Sequence, residues 1–204
     1  SWSLDHAGPI AKNVEDAAIL LGAMAGSDPA DACTVDEPVP DYQAAVGGDV
    51  RGLRLGVPRE DFFAEVEPEV AGLVRAALAV FEGLGVAVEE VSLPHIELAL
   101  GAYSAIIHSE AAAYHAPWLL ARPQDYGPDV RVRLELGRLI PAVDYINAQR
   151  VRTLIQADFH RALMHVDALI TPTTPIPAAR IGALSIEING RSYPVVGGVT
   201  RFTA

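Results

Sequence analysis

Leu53-Arg54-Leu55-Gly56-Val57-Pro58, a helical pattern opening at Pro68, and Val86-Ala87-Val88-Glu89-Glu90-Val91-Ser92-Leu93 together decide the fold. The first stretch alternates apolar and other residues and stops at a proline, the pattern of a short strand. Proline is favoured at the first position of a helix, so Pro68 predicts a helix running to Leu84, with Gly85 just beyond it. Val70, Leu73, Val74, Ala77, Leu78 and Phe81 recur at helical spacing and form its expected buried stripe. The third stretch is a second strand. Strand, helix and strand in this order imply two parallel strands joined by a right-handed crossover.

Working outward, Ala168-Leu169-Ile170-Thr171 reads as a third strand. Pro172-Thr173-Thr174-Pro175-Ile176-Pro177 stops it, because three prolines withhold the ladder's N–H donors and leave an ordered, irregular wall. Upstream, Asn13 is a good helix cap, Asp16 stands at the capping-box position, and Val14, Ala17, Ala18, Leu21 and Met24 follow at helical spacing up to Gly26. Residues 27–52 are rich in Asp, Pro and Gly and read as a surface excursion. Residues 95–165 read as mostly helical, punctuated by Pro117, Pro123, Pro128 and Pro141. Asn189-Gly190 between Ile186-Glu187-Ile188 and Arg191-Ser192-Tyr193 signals a hairpin. The expectation is an α/β chain with more helix than strand, folded as a single domain over residues 1–204.

Half of the 204 residues are hydrophobic and 20% are charged, enough apolar material for one sizeable core. Fifteen Lys and Arg face 26 Asp and Glu, a net charge of −11, which leaves no basic footprint for direct nucleic-acid or anionic-membrane binding. The longest apolar runs, residues 98–109 and 168–179, fall short of the ~18 residues a spanning helix needs. Cys33 is the sole cysteine, which rules out an internal disulfide and fits a reducing cytoplasm. Ser1-Trp2-Ser3-Leu4-Asp5 has no signal-peptide character, and Val199-Thr200-Arg201-Phe202-Thr203-Ala204 has no terminating signal. Both ends are expected to be internal to a longer sequence.

Six histidines raise the question of a metal. His108 and His115 share a helix face but stand two turns apart, roughly 10 Å, too far for one ion. HExxH is absent, as are GxSxG, GxGxxG and the phosphate-binding GxxxxGK[ST]. Ser104 and His108 are spaced to hydrogen-bond, yet mid-helix N–H groups are already engaged and provide no oxyanion hole. Lys12, the only lysine, sits just before a helix cap and reads as solvated. A rotation of about 100° per residue along 128–140 gathers Arg131, Glu135 and Arg138 on one polar stripe. Arg133 falls among Val130, Leu136, Gly137 and Ile140. A guanidinium there needs an anion, either Asp129 four residues earlier or a substrate carboxylate or carbonyl. Arg152, near Ala148 and Phe159, reads as part of a structural ion pair.

Three stretches resemble the amidase signature family. Ser3-Leu4-Asp5-His6-Ala7-Gly8-Pro9 with Val14-Glu15-Asp16-Ala17-Ala18 is similar to the segment after that family's Gly/Ser-rich signature. Gly52-Leu53-Arg54-Leu55-Gly56-Val57-Pro58 resembles its next strand, and Ala168-Leu169-Ile170-Thr171-Pro172-Thr173-Thr174-Pro175 its proline-rich strand end. Order and spacing match over essentially the whole chain. The resemblance implies part of the amidase-signature fold, a mixed sheet covered by helices. It also implies the central to C-terminal portion of that domain, truncated at both ends.

The family hydrolyses amide C–N bonds. A serine attacks the carbonyl, a second serine in a cis peptide relays its proton to a buried neutral lysine, and backbone N–H groups hold the oxyanion. Those three residues lie upstream of the position matching Ser1, so no catalytic residue is carried onto this chain. The resemblance places Arg133 on an arginine that contacts substrate in glutamine-using members, His115 near a pocket-lining tyrosine, and Thr173 and Thr174 beside the substrate channel. It implies a small-molecule amide substrate and neither a metal nor an organic cofactor.

Two subfamilies compete. The glutaminase component of the tRNA-dependent amidotransferase has Arg-Tyr-Asp-Gly where this chain has Ser109-Glu110-Ala111-Ala112. That departure favours a general amidase, with the glutaminase component and its amidotransferase partner subunits as the alternative. Two further readings are a non-catalytic module that binds an acidic or amide ligand through Arg133, and a surface for subunit docking or self-association.

Overall fold

A computed structural model describes residues 1–60 and 65–203. The chain divides into two compact units, Ser1–Asp49 and Val50–Ala204. In the first, helix α1 spans Val14–Met24. The Asn13 side chain accepts from the Asp16 N–H at 2.7 Å and donates to the Asp16 carboxylate at 3.0 Å, so Asp16 bonds the cap through its side chain. A four-residue helix α2, Tyr42–Ala45, capped by Asp41, lies within the stretch expected to be a surface excursion.

The second unit opens with the expected crossover. Strand β1 is Arg54–Pro58, helix α3 is Pro68–Gly83 and strand β2 is Ala87–Val91. Strand β3, Ala168–Leu169, pairs on the other side of β1. All three strands are parallel, in the order β2-β1-β3, with Arg54 opposite Ala87 and Leu55 opposite Ala168. Gly56 makes the centre of this sheet possible: a Cβ there would stand 2.7 Å from Leu169 and 2.9 Å from both Val166 and Val91. Strand β3 is two residues shorter than expected, although the Ile170 N–H still donates to the Gly56 carbonyl at 2.9 Å before the proline segment begins at Pro172. Its entry is pinned by Asp167, whose carboxylate accepts from the Arg54 N–H at 2.8 Å and from its guanidinium at 3.1 Å.

The packed stripe of α3 is Ala71 with the half-buried Val70, Val74, Leu78 and Phe81. Leu73 and Ala77, expected in that stripe, are exposed, and Leu73, 67% exposed, lies about 200° round the helix from Ala71.

A 3-10 turn, Ile96–Leu98, leads into α4, Ala99–Ala121. A second, Pro123–Asp125, leads to α5, Pro128–Gly137, and α6 follows at Ala142–Leu163. Helix α4 packs against both α5 and α6. Pro117 does not end α4, because it and Ala113, whose carbonyl loses its donor, are exposed where solvent can satisfy it. The Arg131–Glu135 ion pair at 3.7 Å sits on the polar stripe expected for α5. No described helix is long and apolar enough to cross a membrane.

The hairpin comprises β4, Ser185–Ile188, and β5, Arg191–Pro194, with Ile188 opposite Arg191. Asn189 and Gly190 take φ of 51° and 77°, the left-handed pair that a two-residue turn of this hand requires. Ile186 and Ile188 bury against Ile176 of the proline segment. A last helical turn, α7, is Val195–Gly198.

Candidate functional site

A cleft of about 880 Å³ opens in the second unit between α4, α5 and the segment around α7. Helix α4 lays one stripe along it: Leu100, Tyr103, Ser104, Ile107, His108, Ala111 and His115, at i, i+3/i+4 spacing. Helix α5 adds Val130, Arg133 and Leu134, again one helix face. Ala179, Val195, Gly197, Val199 and Thr200 close the third side. The walls are mainly apolar, with a few convergent polar groups, the usual make-up of a small-molecule site. None of the lining residues is acidic.

Arg133 is exposed in this cleft and, among the described residues, forms neither an ion pair nor a side-chain hydrogen bond. Asp129 is likewise unpaired there, so the Arg133–Asp129 pair weighed from the sequence is not formed. The apolar surroundings expected for Arg133 also divide differently. Leu134 and Gly137 are buried, whereas Val130 and Leu136 are exposed. Helix α5 turns a narrow seam toward α4 and leaves the rest of its apolar surface open.

His108 Nδ1 lies 2.7 Å from the Ser104 carbonyl and 3.3 Å from the Ser104 hydroxyl. A carbonyl only accepts, so Nδ1 carries the proton and donates. That nitrogen has no lone pair for the Ser104 proton, and the pair does not act as a serine–histidine dyad through Nδ1. His115 Nδ1 lies 3.1 Å from the Tyr126 hydroxyl. Thr173 is exposed, and the Thr174 hydroxyl donates to the Ile176 carbonyl at 2.8 Å; neither lines this cleft. Of the four residues singled out from the sequence, Arg133 and His115 meet at one site and the two threonines stand apart from it. Tyr103, Tyr126 and Thr200 were not legible beforehand. For Tyr126 a signal existed in Pro123, whose turn brings the chain back toward α4.

The four-residue stretch that departs from the amidotransferase pattern splits between two environments. Glu110 accepts from the Tyr145 hydroxyl at 3.1 Å and so faces α6, whereas Ala111 presents a methyl to the cleft. Three carboxylates held below their ordinary range lie elsewhere. Glu65 is held there by Arg201 first and then Tyr193, and Asp167 by Arg54. At Glu60, burial pushes the carboxyl up, but hydrogen bonds from Ser92, the Leu93 N–H and Arg59 outweigh it. Among the described residues, no three His, Cys, Asp or Glu side chains gather as metal ligands would.

Comparison with known proteins adds to this geometry. The family model described as Amidase matches residues 1–204. An amidase of Pseudomonas putida is 47% identical over 205 residues, an alignment covering 100% of this chain and 44% of the relative. The A-type component of the glutamyl-tRNA(Gln) amidotransferase of Roseiflexus sp. (strain RS-1) is 43% identical over 206 residues, covering 90% of this chain and 42% of the relative. Among solved structures, a chain of the inhibitor-bound vestigial complex linked to the origins of an s-triazine catabolic enzyme superposes with a TM-score of 0.87. It shares 33% identity, over 98% of this chain and 43% of that one. The chain therefore spans less than half the length of these relatives.

Proposed function

The chain belongs to the Amidase family, and on that premise we propose that it forms the substrate-facing wall of an enzyme that hydrolyses carboxamide C–N bonds. In this reading the 204 residues are the central to C-terminal portion of an amidase-signature domain. The attacking serine, the cis-peptide serine and the neutral lysine come from sequence outside them. The single lysine supports this, since Lys12 is exposed and lines no part of the Arg133 cleft.

The observation that carries the substrate assignment is the unpaired Arg133 guanidinium in a mainly apolar cleft without an acidic lining residue. A guanidinium offers a fork of donors to a carbonyl or carboxylate, while the apolar walls take the carbon skeleton. His115 stands farther along α4 on the same side. Thr173 and Thr174 are proposed to border the substrate channel, on the strength of the family resemblance alone.

The relatives named as glutamyl-tRNA(Gln) amidotransferase components support a second reading, a glutaminase that works with amidotransferase partner subunits. Free glutamine carries an α-ammonium group, which calls for an acid. The wall formed by these residues provides none, and Ala111 stands where that pattern has an aspartate. We therefore favour a simple carboxamide as substrate.

Ammonia release from acetamide, propionamide and glutamine tests both readings. The 204-residue chain alone is expected to release none above the uncatalysed rate. A whole-length protein carrying it is expected to turn over the simple amides in preference to glutamine. Enzyme-like turnover by the chain alone would overturn the first statement, and a preference for glutamine the second.

A further inference from the structure

We propose that the hollow walled by Tyr114, His115, Trp118 and Tyr126, which adjoins the Arg133 cleft and shares His115 with it, is a binding site for a quaternary ammonium group. Helix α4 carries the first three rings at i, i+1 and i+4, and the Pro123–Asp125 turn returns Tyr126 to face them. Ring centroids lie 5.0 Å apart for Tyr114 and His115, 5.5 Å for Tyr114 and Trp118, and 5.6 Å for His115 and Tyr126. The hollow measures about 290 Å³ and is bordered by Arg122 and Asp125.

Four features point to a cation of this type. Tyr114 and Trp118 remain 58% and 42% exposed within this chain although they are large and adjacent, so their ring faces are open to a ligand here. Tyrosine and tryptophan rings present electron-rich faces that attract cations within about 6 Å. Among the described residues, no cation of the chain stands over these rings, because the Arg122 guanidinium is drawn to Asp125 at 3.3 Å instead. The Tyr126 hydroxyl is turned to His115, and Asp125, bonded to Arg122 through one oxygen, keeps acceptor capacity and negative charge at the rim.

A primary ammonium pressed against these rings would lose hydrogen bonds to water that the ring faces do not replace. A quaternary ammonium has no N–H to satisfy and spreads its charge over methyl groups, so it loses far less. The Asp125 carboxylate at the rim and the net charge of −11 attract a cation and disfavour an anion.

Choline and its uncharged carbon isostere, 3,3-dimethylbutan-1-ol, are the probes. In a Trp2→Phe background Trp118 is the only tryptophan, and its fluorescence reports on the hollow. Titrations run at pH 8, above the ordinary histidine range, and at constant ionic strength. Choline is expected to give a saturable change, with the isostere binding about tenfold more weakly or not at all. Tyr114→Leu alters an exposed position and should keep the circular dichroism spectrum while weakening choline about fivefold or more. Equal affinity for the two probes would reduce the hollow to a plain apolar pocket and overturn the proposal. So would the absence of a saturable response to choline, or an unchanged affinity in a folded Tyr114→Leu variant. Every readout is binding, so failure here leaves the amide-hydrolysis reading untouched, and the reverse also holds.

Discussion

A Cβ placed on Gly137 would stand 2.1 Å from the carbonyl oxygen of His108 and 2.7 Å from its carbonyl carbon. Helices α4 and α5 therefore meet backbone to backbone beside the cleft that His108 and Leu134 both line. The obstacle is main chain, so no rotamer change can relieve it. Gly137→Ala must push α5 away from α4, and a loss of about 3 kcal/mol is expected in urea unfolding, the upper end for overpacking. Helix propensity favours alanine by at most about 1 kcal/mol. A Gly137→Ala variant as stable as the parent would refute the close approach.

Asp158 is the one buried charged residue among those described, at 1% exposure. Its carboxylate accepts from the His95 N–H at 2.9 Å, from His95 Nδ1 at 3.0 Å, and from Arg161, tying the start of the 3-10 turn before α4 to α6. Asp158→Ala strands these donors and opens a polar void. Arg161 is 63% exposed, so solvent screens its share. The expected cost is about 2 kcal/mol, a fall in Tm of about 4–8 °C. Asp158→Asn keeps the shape and one acceptor oxygen and should recover roughly half of that. Equal losses in the two variants would show that the lost carboxylate charge and acceptor oxygen, not the void, set the cost.

The crossover was legible in the sequence because each signal is local. Alternation marks β1, Pro68 opens α3, and Asn189-Gly190 supplies the two left-handed residues of the hairpin. The site was legible only in part, because facing is a tertiary property. Periodicity put Arg133 among apolar residues, but it could not tell that Gly137 docks on a carbonyl while Val130 and Leu136 stay exposed. It marked Ser104 and His108 as a pair without showing that Nδ1 is spent on a backbone carbonyl. Tyr126 lies off α4, and only the Pro123–Asp125 turn makes it a neighbour of His115.

Arg133 and Asp129 should separate cleanly by mutation. Neither is paired among the described residues and both are exposed, so Arg133→Ala and Asp129→Ala should each change stability by less than about 0.5 kcal/mol. In a whole-length active protein, Arg133→Ala should raise KM about 10- to 100-fold with a smaller effect on kcat. Arg133→Lys should restore only part of it, since an ammonium lacks the planar fork. Unfolding by Asp129→Ala would revive the ion pair, and an unchanged KM in Arg133→Ala would remove the arginine from the site.

Glu65 predicts how stability falls in acid. Its carboxylate receives Arg201 and, at 3.0 Å, Arg191, joining the chain after β1 to the hairpin and the C-terminal segment. Arg201 first and Tyr193 second hold the Glu65 carboxyl below its ordinary range, against a smaller upward push from burial. In the unfolded chain the same group titrates near its ordinary value of about 4.3. As pH falls through that value, the unfolded state takes up the proton before the folded state does, and folding loses ground. The contribution is thus complete above about pH 5 and is lost progressively below it. Glu60 and Asp167 are displaced in the same direction, so Glu65→Gln should flatten the acid limb without abolishing it. Urea midpoints at pH 7, 5, 4 and 3.5 check this. The variant should start lower at pH 7 and converge on the parent in acid. Parallel curves over the whole range would show that Glu65 binds its arginines without linkage to folding.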